Sequence, residues 1–150
     1  MSMTDSLQRR LAELITTDLE TEWVEFKENR ANPEEIGWYI SAIANSARLC
    51  GQESGWIVWG VRDATHDIVG TDFNPHAVKI GNEALEGWLS HLLHPGVHFV
   101  FHEVVTPAGR VVMLEIPAAC HTPVRFKDFE YIRIGSYLKK LRDHPERERT

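Results

Sequence analysis

The sequence predicts one α/β (α+β) domain, a mixed β-sheet of about six strands packed with two or three helices. Three observations carry this. The chain has 150 residues, enough for one substantial core and too few for two full-sized domains. Its composition, 43% hydrophobic and 25% charged with ten Gly and seven Pro, suits a globular fold and excludes collagen, a long coiled coil and wholesale disorder. The spacing of apolar residues also switches repeatedly between helical and strand periods.

Leu7, Leu11, Leu14 and Ile15 recur at helical spacing and predict a short amphipathic helix lying across a sheet edge. Glu22-Trp23-Val24-Glu25-Phe26-Lys27 alternates, predicting a strand with Val24 and Phe26 on one face and Glu25 and Lys27 on the other. Asn32-Pro33-Glu34-Glu35 is a helix start: Asn32 caps, Pro33 needs no amide partner at the first position, and Glu35 can return a bond. Ile36, Tyr39, Ile40, Ile43, Ala44 and Ala47 extend that helix to about Leu49, with small residues that permit close approach to a sheet. Asn45 within it reads as a structural hydrogen-bonding residue. The nearly continuous apolar run Trp56–Val61 predicts the central strand, its tryptophans in a core or interface rather than stacked on bases. Ile68-Val69-Gly70 predicts a short strand, Pro75 to Leu93 a helix interrupted by glycines and stopped by Pro95-Gly96, and Val97 onward a strand. Val111–Ile116 and Glu130–Ile134 complete the strands.

The formal charge of -6 argues against coating nucleic acid through bulk positive charge. Its distribution is uneven: net -3 over residues 1–30, -6 over 31–120 and +3 over 121–150. Arg133, Lys139, Lys140 and Arg142, preceded by Arg125, fall at the last strand and its exit, where a phosphate-contacting rim or an ordinary solvated surface would carry them. Cys50 and Cys120 have no metal or disulfide spacing and read as reduced, and no export signal or membrane span is visible, so the sequence reads as soluble and cytoplasmic. GxxxxGK[ST], GxGxxG and GxSxG are absent, which leaves ATP, NAD and hydrolase-elbow chemistry without a sequence case.

Acidic residues offer a sharper pattern. Glu20 precedes the first strand, Glu25 lies on its polar face and Asp63 follows the central strand, so pairing of the two strands would gather three carboxylates. Such oxygens suit Mg2+ or Mn2+, an ion that polarises phosphate and activates water, with Lys27 neutralising phosphate charge. Ordinary surface carboxylates satisfy the same spacing.

The blocks Glu22–Lys27, Ile40-Ser41-Ala42-Ile43-Ala44-Asn45-Ser46, Gly55–Asp63, Ile68-Val69-Gly70 and Tyr131-Ile132-Arg133-Ile134-Gly135-Ser136 closely resemble, in order and spacing, the Schlafen AlbA_2 family of DNA-binding domains. The resemblance implies an AlbA_2-like domain over 1–145, with 146–150 a charged tail leading to a linker or to a missing C-terminal domain. It implies a nucleic-acid (DNA) binding module of a larger transcription-regulating or helicase-related protein, with DNA or RNA as partner and Arg133, Lys139, Lys140 and Arg142 on phosphates. Some relatives are metal-dependent ribonucleases that act on structured RNA through two glutamates and an aspartate. Their pattern falls here on Glu20, Glu25 and Asp63, with Mg2+ or Mn2+ as cofactor. A non-catalytic oligomerisation module, such as a homodimer, is a third expectation. The chain departs from the family at Gln52-Glu53-Ser54-Gly55, where relatives commonly carry a Gly-Gly pair.

Overall fold

A computed structural model describes residues 3–16, 22–134 and 137–144. Helix α1 (Met3–Ile15) and strand β1 (Val24–Lys27) open the described chain. In α2 (Pro33–Leu49) the Asn32 side chain accepts from the Glu35 amide at 3.2 Å, the cap that the sequence requires. The apolar run becomes β2 (Ser54–Trp59). A ribbon of β3 (Lys79–Ile80) and β4 (Glu83–Ala84) leads to α3 (Leu85–Leu92), followed by β5 (Leu93–His94), β6 (Val100–Thr106) and β7 (Gly109–Pro117). The chain continues through β8 (Arg125–Phe126), β9 (Phe129–Ile134), β10 (Tyr137–Lys140) and a 3-10 turn at Leu141–Asp143. Among the described residues no helix is long and apolar enough to cross a membrane.

Among the described residues eight strands form two four-stranded sheets, in place of one sheet of about six, within a single mixed α+β domain. The first, ordered β1-β2-β7-β6, is mixed, because β1 runs parallel to β2; the second, β10-β9-β8-β5, is antiparallel. The second sheet was hard to foresee because β5 and β8 have two residues each, too few to show a period. The helix expected from Pro75 begins only at Leu85, after Gly81 turns the chain with φ +63°. Of Ile68-Val69-Gly70, only Ile68 pairs, in an isolated bridge to Val61.

Alternation in β1 and β2 divides the core between two faces. Val24, Phe26, Trp56 and Val58 pack with Leu11 and Leu14, so α1 covers a face of the first sheet and not its edge. Ile57 and Trp59 point the other way, into a larger cluster with Ile36, Ile40 and Ile43 of α2 and Phe126 of the second sheet. Trp59 is fully buried and its indole N–H donates to the Arg30 carbonyl at 2.8 Å, which fixes it as a core residue. Helix and sheet approach closely at Gly55, where an added Cβ would lie 2.1 Å from Ile43 Cγ2 and 2.6 Å from the Trp23 carbonyl oxygen. Gly55→Ala is therefore expected to destabilise the domain by about 2 kcal/mol through overpacking, read as a lower urea midpoint.

A polar stripe on α2 aligns the second sheet. Where β8 stops, the Tyr131 and Arg133 amides of β9 donate to the Ser41 and Ser46 hydroxyls, each at 3.0 Å. Asn45 Nδ2 donates to the carbonyls of Val124 and Tyr131 at 2.9 and 2.8 Å, and its Oδ1 accepts from the Val124 amide at 2.7 Å. The helix thus serves β9 as a neighbouring strand would, using side chains in place of backbone. This docking sets the position of β9 and β10, which carry the candidate functional residues.

Candidate nucleic-acid interface

Glu25 and Lys27 share the β1 face that looks toward α2, so their charges are largely covered rather than presented to solvent. Lys27 Nζ lies 2.6 Å from Glu35 Oε1 and 4.8 Å from the Tyr39 ring centroid, and Arg30 reaches the second Glu35 oxygen at 3.0 Å. Arg133 was expected on a phosphate-contacting rim; it is instead only 3% exposed. Its Nη2 lies 3.1 Å from Glu25 Oε2, and its Nη1 donates to the Val24 carbonyl on the outer edge of β1. Arg133 therefore clamps the second sheet to the first, and its burial removes it from the phosphate-binding set.

Desolvation raises the Glu25 pKa above its ordinary 4.5, outweighing the attraction of Arg133 and Lys27, while Asp63 and Glu35 add to the rise. The repulsion from Asp63 marks it as an electrostatic neighbour of Glu25, consistent with the pairing of β1 and β2. Burial likewise raises the Tyr39 phenol, with Glu25 contributing. Of the expected ligand set, Asp63 is exposed and Glu20 lies outside the described residues. Carboxylate oxygens have the right hardness for Mg2+ or Mn2+, but two are too few to enclose one. Among the described residues no group of three or more His, Cys, Asp or Glu is arranged to hold a metal ion.

Lys139, Lys140 and Arg142 form a different environment. They lie on and just after β10, the free edge of the second sheet. Lys140 Nζ sits 3.8 Å and Arg142 Cζ 4.8 Å from the Phe129 ring centroid, while Lys139 Nζ is 5.8 Å from that of Tyr137. Tyr137 is 70% exposed. Lys27, Arg110 and Lys127 meet carboxylates, but among the described residues these three cations at the β10 edge have no salt-bridge partner. The rings hold the positive groups at the surface without neutralising them. Sequence reasoning found the lysines and Arg142 but missed Phe129 and Tyr137, whose signal was their closeness in the chain to the basic run.

Arg125 lies on β8 opposite Glu130 and beside His94 of β5, exposed and two strands from β10. The histidines at 91 and 102 meet Glu83 and Glu115 at 2.7 and 3.0 Å. His98 lies ahead of β6, because the strand expected from Val97 onward begins only at Val100.

The fold is shared with known structures. The DIP2311 protein from Corynebacterium diphtheriae matches with a TM-score of 0.56 and 18% identity over 91% of this chain, which spans 26% of that protein. The solution structure of the N-terminal domain of a RecG-related protein from Nitrosomonas europaea matches with a TM-score of 0.52 and 20% identity, covering 91% of this chain and 92% of that domain. No curated protein matches the sequence. Residues 20–142 match the Schlafen, AlbA_2 family, a span that takes in both sheets, the Arg133 clamp and the β10 edge, and the chain belongs to that family.

Proposed function

We propose that this domain binds nucleic acid, DNA in the first instance, as a module of a larger regulatory or helicase-related protein. The observation that supports it most is the set of Lys139, Lys140 and Arg142, mounted on aromatic rings and unpaired with carboxylates among the described residues. Cations so held meet phosphates without first breaking an ion pair, and adjacent rings offer stacking surfaces to bases. The similar Nitrosomonas domain comes from a protein named for a DNA helicase, which agrees with this role. The acidic remainder of the chain confines attraction to this edge, so binding should be local and salt-dependent.

The triple variant Lys139→Ala/Lys140→Ala/Arg142→Ala tests the assignment. It is expected to bind a labelled oligonucleotide at least tenfold more weakly at low salt, and to lower the slope of log K against log salt by about 2 to 3. Equal affinity and equal slope in the variant would remove these residues from the interface. Thermal unfolding should change little, since Lys139 and Arg142 are exposed.

A second reading, a divalent-metal endoribonuclease acting on structured RNA, is favoured by the repulsion that Asp63 exerts on Glu25. Glu25 and Asp63 would be the described ligands, and a bound ion would supply phosphate polarisation and an activated water. Here Lys27, held by Glu35, would position Glu25's neighbourhood rather than meet the phosphate directly. Cleavage of structured RNA with Mn2+ that disappears in Asp63→Ala would support this reading, and unchanged cleavage in that variant would exclude the site.

A further inference from the structure

We propose that the domain pairs with a second copy of itself through β6, an outer edge of the first sheet, joining two four-stranded sheets into one of eight. The surface is distinct from the β10 edge, so the inference stands apart from the nucleic-acid reading.

The backbone of β6 is open on one side. Its seven residues pair with β7 without interruption, from Val100 opposite Glu115 to Thr106 opposite Gly109, and no described strand lies beyond them. Thr106 and Gly109 close a two-residue hairpin and exchange hydrogen bonds, which turns the backbone groups of Phe101, Glu103 and Val105 outward. The Val105 carbonyl shows the same phase, since it accepts from Gln8 Nε2 at 3.3 Å.

Little on this edge deters pairing. The strand has no proline, lysine or bulge, the usual protections of a free edge. Its one formal charge, Glu103, is held at 2.8 Å by Arg110 of the same hairpin. Val100 and Val105 are 45% and 67% exposed, two large apolar side chains on one short strand. The other edge of the sheet is closed differently, because the outer Val24 carbonyl of β1 accepts from Arg133.

A second β6 complements the first when it runs antiparallel about a two-fold axis at Glu103. Phe101 then falls opposite Val105 of the second copy, and Val105 opposite its Phe101, so each exposed valine gains an aromatic cover. Their outward backbone groups exchange hydrogen bonds, and the two Glu103 side chains meet at the axis, each held by its own Arg110. Each edge is used once, so association stops at the dimer. A flexible peptide on this edge would first have to be ordered, whereas a second β6 is already extended. Arg133 clamps the second sheet at β1, across the first sheet from β6, and pairing leaves each β10 edge clear.

Sedimentation equilibrium from about 5 to 500 µM tests this, with a dissociation constant on the order of 10 to 100 µM expected for so small an interface. Val105→Lys and Glu103→Lys, both at exposed positions, should each weaken dimerisation at least tenfold and change the urea midpoint little. Gln8→Ala, which frees the Val105 carbonyl, should leave dimerisation unchanged or stronger. Exchange of the Glu103 amide should slow as wild-type concentration rises, and not in Val105→Lys. A monomer at every concentration would overturn the inference, leaving the edge to a strand of another protein. A dimer equally strong in both lysine variants would overturn it as well, by placing the contact on another surface.

Discussion

Arg133→Met is expected to destabilise the domain by about 3 to 5 kcal/mol, because it strands a mostly buried carboxylate. The guanidinium is 3% exposed, meets Glu25 at 3.1 Å and bonds the outer carbonyl of β1, so its loss removes charge compensation and an edge contact together. The double variant Glu25→Gln/Arg133→Met, which takes away both charges, should recover part of that loss. Urea unfolding of the two single variants and the double variant measures the coupling. Were Arg133 a surface phosphate ligand, Arg133→Met would leave the midpoint nearly unchanged and reduce nucleic-acid affinity instead.

The same pair predicts a dependence on pH. Burial raises the Glu25 pKa above 4.5, so the folded domain holds this proton more tightly than the unfolded chain does. The associated stability is fully present below about pH 4.5 and is lost as pH rises through the folded value. Glu25→Gln carries no ionisable carboxyl at this position. Its denaturation midpoint should fall less steeply than that of the wild type as pH rises from about 4.5 toward neutrality. Parallel profiles for the two proteins would contradict this.

Asn45→Ala has the second large expected effect, about 3 kcal/mol. The substitution leaves the Val124 amide and the Tyr131 carbonyl without their side-chain partner, each at about 1 to 3 kcal/mol, while Ser41 still donates to the Val124 carbonyl at 2.7 Å. Exchange of the Val124 amide should accelerate along with the fall in global stability, because that N–H is the most directly exposed by the change. Asn45→Asp separates the terms: it retains an acceptor for Val124 but loses both donated bonds and buries a charge. A change below about 0.5 kcal/mol in Asn45→Ala would mean that α2 does not hold the second sheet in the manner described.

Local signals in the sequence revealed much of the first sheet and its helices. Asn32-Pro33 starts α2 because cap chemistry acts within four residues, and Trp56–Val61 marks β2 because a strand covered on both faces is continuously apolar. The second sheet was less legible. Its short strands lack a period, and α2 supplies side-chain partners to β9 across 86 to 90 positions of sequence separation. Arg133 was misplaced for a related reason. In Glu130-Tyr131-Ile132-Arg133-Ile134 it alternates with isoleucines as a solvent-facing residue would, and its partners Val24 and Glu25 are more than 100 residues away. The candidate interface was half visible: the basic run announced Lys139, Lys140 and Arg142, whereas the role of Phe129 depends on β9 folding back beside β10.

The most direct measurement is a map of amide chemical shifts in the isotope-labelled domain as an oligonucleotide is added at low salt. Binding at the proposed interface predicts the largest changes at Tyr137, Lys139, Lys140 and Arg142, and their reversal as salt is raised. Changes centred on α1 and the far face of the first sheet, or no changes at all at low salt, would contradict the account.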